Sequence, residues 1–265
     1  MNQINNGNLR LQLARMSRMA RTLIRDPYVF SPHFKYIFIF GHMRSYTSLL
    51  AHLLGNSPEI SGYFELHQPY RKVLDFLSMR VRISEGMDYH TRGRYLLDKI
   101  LHNVEISPRI LESNRLSVIL TLREPVRSLQ SLSRMLVIES MDHALEYYLN
   151  RLKFLTQLSA IGGPKFFLDA DDLVSDIDPV LTALSSFLGL KEILSSSYSV
   201  NKFTGQRGYG DSSGNIMQGR IMEKKLSSEE GLPQEIFIRA NAAYLTARQV
   251  LMEGCLTTEK INRSL

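Results

Sequence analysis

Residues 40–50 read FGHMRSYTSLL, so the apolar run YIFIF at 36–40 is followed at once by Arg44, Ser45, Thr47 and Ser48. A strand that turns into a helix through a short loop aims backbone N–H groups and the positive helix end at one point, where a phosphate or sulfate binds. Arg44 adds a fork of donors, and the three hydroxyls add more. The nucleotide loop G-x-x-x-x-G-K-[ST] is not matched, because Tyr46 stands at the second glycine position and Thr47 at the lysine position. On its own the segment is equally compatible with a helix cap.

A second constellation lies further on. LSVILTL (116–122) runs straight into REPVRSLQSLSR, which puts Arg123 at the carboxyl end of a buried strand and Ser131 eight residues later in the next helix. Ligands of open α/β sheets bind at that end of the strands, so an arginine fork and a hydroxyl converging there would hold a second anionic group. The competing reading is a surface ion pair between Arg123 and Glu124.

GYFELHQPY (62–70) supplies candidates for proton transfer. Glu65 and His67 are two apart in an extended segment, which points both side chains the same way. Either is a candidate general base, His67 because imidazole titrates near neutrality. His42, His52, His90, His102 and His143 show neither H-E-x-x-H nor cysteine–histidine spacing, so no metal site is expected. His42 reads as a support for the loop that follows it. There is no G-x-S-x-G elbow, and no alternation of aromatic with basic residues that would make a nucleic-acid platform.

The elements that must position these groups follow from periodicity. Residues 36–40 are a buried strand, 45–54 a helix, NSPEISGYF a turn into a short second strand, and 70–105 mainly helices. LSVILTL is another buried strand, 126–135 the helix after it, IGGPKFFL a turn and strand, and PVLTALSSFLGL a helix closed by Gly189. Uniformly apolar strands separated by helical crossovers specify an α/β fold with a parallel sheet covered on both faces.

Residues 1–30 stand apart as a basic amphipathic helix ahead of a single domain at 31–265. Arg10, Arg15, Arg18, Arg21 and Arg25 accompany apolar residues at helical spacing, ending at Asp26-Pro27. Residues 9–25 suit either peripheral contact with an anionic membrane or packing on the domain with a solvated arginine face. Residues 195–215, rich in serine and glycine, read either as a mobile lid or as a disordered surface loop.

The chain has 265 residues, a net charge of +6 and 44% hydrophobic composition, which suits one globular domain with an anionic partner. A single cysteine, Cys255, excludes an intrachain disulfide and fits a reducing, cytoplasmic compartment. No apolar stretch approaches the ~20 residues of a membrane-spanning helix, and no secretory signal is visible.

Taken together the segments carry a resemblance. HMRSYTSLL resembles the 5′-phosphosulfate loop, R/K-S-G-T-[ST], of the sulfotransferases that use 3′-phosphoadenosine 5′-phosphosulfate (PAPS), and LTLREPVRSLQSLSR resembles their 3′-phosphate motif. KFFLDADDLVSDIDPVLTALSSFLGL is similar to the Y-E-D-L segment and the helix after it, and LLDKILHN is placed like the family's D-K-x-P stretch. The likeness covers residues 36 to about 190. It implies a P-loop-NTPase-like three-layer fold and in-line transfer of a sulfuryl group from PAPS to a hydroxyl or amine, without a metal. Arg44, Ser45, Tyr46, Thr47, Ser48, Arg123 and Ser131 would hold the cofactor, with Gly219 and Arg220 the nearest match to a C-terminal phosphate loop. Glu65 matches the base of the carbohydrate and tyrosyl-protein branches, 21 residues after Arg44; Lys99 would neutralise the leaving group, and His67 would replace or assist Glu65. Tyr46 replaces the loop glycine, and Ala170 the tyrosine of Y-E-D-L. Arg71, Lys72, Arg80, Arg82, Arg92 and Arg94 suggest an acidic or polar acceptor such as a saccharide, unless they form a solvated face. A nucleotide-dependent phosphotransferase and a non-catalytic nucleotide-binding protein remain the alternatives.

Overall fold

The structure is a computed structural model that describes residues 16–17, 20–22, 24, 33–85, 93–102, 104–135, 138–206, 214–221 and 231–264. Most of the basic N-terminal segment, Arg92, and residues 207–213 of the serine- and glycine-rich loop lie outside the described residues.

Five parallel strands form one sheet in the order β2-β3-β1-β4-β5, from β1 (Lys35–Phe40), β2 (Ile60–Ser61), β3 (Tyr95–Ile100), β4 (Leu116–Leu122) and β5 (Lys165–Asp169). Strand alternation splits the core between two faces. Ile37, Ile39, Leu97, Ile119 and Phe166 pack under helices α1 (Thr47–Gly55) and α7 (Ile177–Leu188) and against Ile261 of α9 (Thr258–Asn262). Phe38, Phe40, Leu96, Leu120 and Phe167 pack under α2 (Val73–Glu85), α4 (Pro125–Ser133), α5 (Met141–Ser159) and α8 (Gln234–Gly254). Two short helices, α3 (Pro108–Leu111) and α6 (Asp172–Ser175), complete the connections. The three-layer α/β arrangement expected from the apolar strands is therefore the one observed.

Helix boundaries follow local chemistry. Glu124 caps α4 by accepting from the Val126 and Arg127 amides at 2.8 and 2.9 Å, with Pro125 at the first turn. Ser140 caps α5, and Gly189 ends α7 in the left-handed conformation at φ 61°. No side chain caps α1, whose N-cap position is Tyr46.

One expectation is corrected. Residues 70–105 are not mainly helical, because YLLDKI forms β3, the strand directly beside β1. Asp98 and Lys99 break its apolar run although both are buried. Asp98 is compensated by the Leu66 amide, which donates to Oδ1 at 2.9 Å, and by the Tyr70 hydroxyl, which donates to Oδ2 at 2.6 Å. Burial still raises the Asp98 carboxyl to about 6.

The sheet order also fixes where a ligand belongs. From β1 the chain crosses to the β2 edge and returns through β3, whereas from β4 it moves outward to β5. The carboxyl ends of β1 and β4 thus flank a topological switch point, the place where open α/β sheets bind ligands.

The Tyr70–Asp98 bond predicts a stability effect. At pH 8, Tyr70→Phe should lower unfolding free energy in urea by about 1.5–3 kcal/mol, the range for a hydrogen bond to a charged group. A loss below about 0.5 kcal/mol would show that the bond is not holding Asp98 in place.

Candidate functional site

The loop leaving β1 enters the left-handed region at two residues with side chains, Arg44 at φ 68° and Tyr46 at φ 55°. Positive φ is therefore adopted at Tyr46 even though the glycine of the related motif is missing. The Arg123 guanidinium compensates. Its Nη1 donates to the Arg44 carbonyl at 3.0 Å, its Nη2 to the Tyr46 hydroxyl at 2.9 Å, and it lies 4.3 Å from the centre of the Tyr46 ring. Arg44 in turn donates from Nε to Ser131 Oγ at 2.7 Å. Arg44, Arg123 and Ser131 thus form one cluster at the switch point. The ion partner of Arg123 is Asp171 at 3.7 Å, not Glu124, which caps α4.

Residues outside the motifs hold the loop from behind. Gly41 has no room for a side chain, since a Cβ there would stand 2.4 Å from Thr121 Oγ1. Arg151 of α5, buried, donates from Nε and Nη2 to the Gly41 carbonyl at 3.1 and 2.7 Å, and from Nη2 to the Ile100 carbonyl at 3.3 Å. Tyr147 receives the Met43 amide at 2.8 Å, and Tyr148 donates to the Arg123 carbonyl at 2.7 Å. Ser45 is fully buried, and its hydroxyl donates to the His42 carbonyl at 2.7 Å, which braces the loop.

His42 supports the loop through a single tautomer. Its Nδ1–H donates to the Met43 carbonyl at 2.8 Å, and its Nε2 accepts from the Arg123 amide at 3.2 Å. Burial, reinforced by the charges of Arg123 and Arg151, lowers its pKa to about 4.

The proton-transfer candidates converge beside α1. Lys99 Nζ donates to Ser48 Oγ at 2.8 Å and lies 3.1 Å from Glu65 Oε1, both partners being nearly inaccessible to solvent. Glu65 Oε2 lies 3.8 Å from His67 Nδ1 and 3.6 Å from His102 Nε2. Glu65, His67, Lys99 and His102 line a small open cleft together with Asp98 and Gln68. His102 was not singled out by spacing. It follows β3 directly, so reading YLLDKI as a strand would have placed it at the sheet's carboxyl edge. Spacing along the chain does not show this grouping, because Glu65 and His67 come from one segment and His102 from another.

Thr47 and Ser48 begin α1 at the same site and are buried, Ser48 against Lys99. Gly219 and Arg220 bridge to Tyr198 and Ser197, in a segment that packs on the far end of α1 through Asn56. The basic residues assigned to an acidic acceptor are largely engaged within the protein. Arg80 bonds the Tyr36 hydroxyl, Arg82 the Leu66 carbonyl, Arg94 the Gly189 carbonyl and Glu59, and Arg71 pairs with Glu105. They give no support to a saccharide acceptor.

No family model matches the chain, and no curated protein matches it. Among solved structures, the "Sulfotransferase Domain from the Curacin Biosynthetic Pathway" superposes with a TM-score of 0.50, covering 80% of this chain and 98% of that domain at 17% sequence identity. The fold, a five-stranded parallel sheet flanked by helices, is thus similar to that of a sulfotransferase domain. No helix among the described residues is long and apolar enough to cross a membrane.

The His42 tautomer carries a signed pH dependence. A base whose pKa falls from 6.5 to about 4 on folding contributes stability that is present above pH 6.5 and is lost as pH falls toward 4, by about 3 kcal/mol in full. Relative to His42→Asn, the native chain should lose stability over that interval in urea titrations. Parallel pH profiles for the two proteins would contradict the buried neutral imidazole.

Proposed function

We propose that the protein transfers a sulfuryl group from PAPS to an acceptor hydroxyl. The observation that carries this reading is the uncapped N-terminus of α1, ringed by Arg44, Arg123 and Ser131, with the Lys99–Glu65 pair against its first turn. A ligand with two separate anionic groups fits this arrangement better than one with a single anion. The α1 amides and Arg44 are suited to the phosphosulfate, and Arg123 with Ser131 to the 3′-phosphate.

In such a transfer the acceptor oxygen forms a bond to sulfur while the bond from sulfur to the phosphate oxygen breaks. The acceptor proton must leave, and negative charge develops on the phosphate oxygen. Glu65 is the group to take the proton, because Lys99 fixes one carboxylate oxygen and turns the other toward the cleft. The Lys99 ammonium, between Glu65 and Ser48, is positioned for the developing charge at the helix end. His67 stands at the mouth, where an imidazole would orient the acceptor. The cleft is open and its cavity volume is only about 10 Å³, room for about one water, so it would take only the reacting end of a ligand.

Glu65→Gln should retain affinity for adenosine 3′,5′-bisphosphate and lose at least about 100-fold in PAPS turnover, the scale of general-base catalysis. Unchanged turnover would remove Glu65 from the reaction. Joint loss of turnover and bisphosphate binding would make it a support for the loop.

A further inference from the structure

The histidines around Glu65 have a second chemistry open to them. Glu65 Oε2 is 3.8 Å from His67 Nδ1 and 3.6 Å from His102 Nε2, and all three atoms lie within 4.8 Å of one another. Four ligands at ~2.0–2.1 Å around a tetrahedral ion stand about 3.3 Å apart, so both carboxylate–imidazole gaps are within about half an ångström of that spacing. The two imidazole rings lie side by side, centres 5.6 Å apart and tilted by 32°. Each is about half exposed, which lets the rings turn their nitrogens toward a common ion.

Two further features suit a metal. Lys99 takes Oε1 of Glu65 and leaves Oε2 directed at the histidines, the way an outer partner orients a ligating carboxylate. His67 holds its ring there from a left-handed backbone, φ 48°, a conformation rare outside glycine and concentrated at functional positions. Two imidazoles with one carboxylate select a transition metal over Mg²⁺ or Ca²⁺, which prefer all-oxygen sites. Three protein ligands also leave a coordination position open toward the cleft.

We propose that Glu65, His67 and His102 form a binding site for one divalent transition-metal ion, for which Zn²⁺ is the fitting species. The site shares Glu65 and His67 with the proposed transfer, and an ion there would occupy the oxygen assigned to the acceptor proton, but its argument does not rest on that reaction. The lysine at 3.1 Å opposes a second positive charge, so binding is expected to be reversible and removable by chelator.

Co²⁺ titration of the full chain, followed by visible absorption, tests this with neither PAPS nor turnover. The expected result is a saturable spectrum of a low-coordinate Co²⁺ ion at one equivalent, which Zn²⁺ abolishes by displacement. His102→Ala should lose the spectrum. His102→Cys should restore it with an added sulfur-to-metal charge-transfer band, and His143→Ala, at an exposed histidine remote in sequence, should leave it unchanged. Absence of a saturable spectrum, or a His102→Ala protein that titrates like the native chain, would overturn the site.

Discussion

The β1–α1 loop is held in a turn that its own residues disfavour. Arg44 and Tyr46 both lie in the left-handed region, each at a cost of about 1–2 kcal/mol for a residue with a side chain. The turn exists because partners from three other elements converge on it: Thr121 of β4 with Arg123 just after it, Arg151 and Tyr147 of α5, and Ser131 of α4, with Tyr148 holding Arg123 in turn. What the turn achieves is geometric. It presents the N-terminus of α1 without a side-chain cap at the carboxyl edge of the sheet, surrounded by guanidinium groups. The positive end of the helix dipole then faces that edge, where it favours an anion.

The same edge carries the Lys99–Glu65 pair because β3 lies next to β1. Register places Lys99 opposite Ile39, and alternation turns it to the α1 face while Asp98 turns to the other. Removing a lysine from water costs several kcal/mol unless it is paired, and Glu65 and Ser48 supply that pairing. One buried cation thereby links the loop helix to the carboxylate that faces the cleft. A change at Lys99 would act on both at once, which makes its effects harder to separate than those of Glu65.

The sheet was legible wherever apolar residues run unbroken. YIFIF, LSVILTL and KFFL are buried on both faces and are strands, and the FLGL signal ends its helix at a left-handed glycine. YLLDKI was missed because a strand interior is not expected to hold Asp and Lys in sequence, and their partners, Tyr70, Leu66 and Glu65, are about 30 residues away. Arg44, Arg123 and Ser131 stood out because each follows a readable strand or lies in the helix after it. Arg151 and His102 did not, since nothing local distinguishes a buried arginine on an amphipathic helix, or a histidine after an unrecognised strand, from surface residues. Basicity alone was a weaker guide for Arg80, Arg82 and Arg94, which suggested an acceptor surface while each donates to a tyrosine or backbone oxygen within the protein.

The most direct test of the donor assignment is a thermal-shift titration in EDTA, comparing adenosine 3′,5′-bisphosphate with ADP on the native chain and on Arg123→Ala. A ligand at 100 times its dissociation constant stabilises the fold by about 2.7 kcal/mol, a shift that is readily resolved. Stabilisation of the native chain by the bisphosphate well beyond that by ADP, with the difference lost in Arg123→Ala, is the predicted result. Equal shifts for both ligands, or a response only to ATP with Mg²⁺, would contradict a PAPS site and favour phosphoryl-transfer chemistry on the same fold.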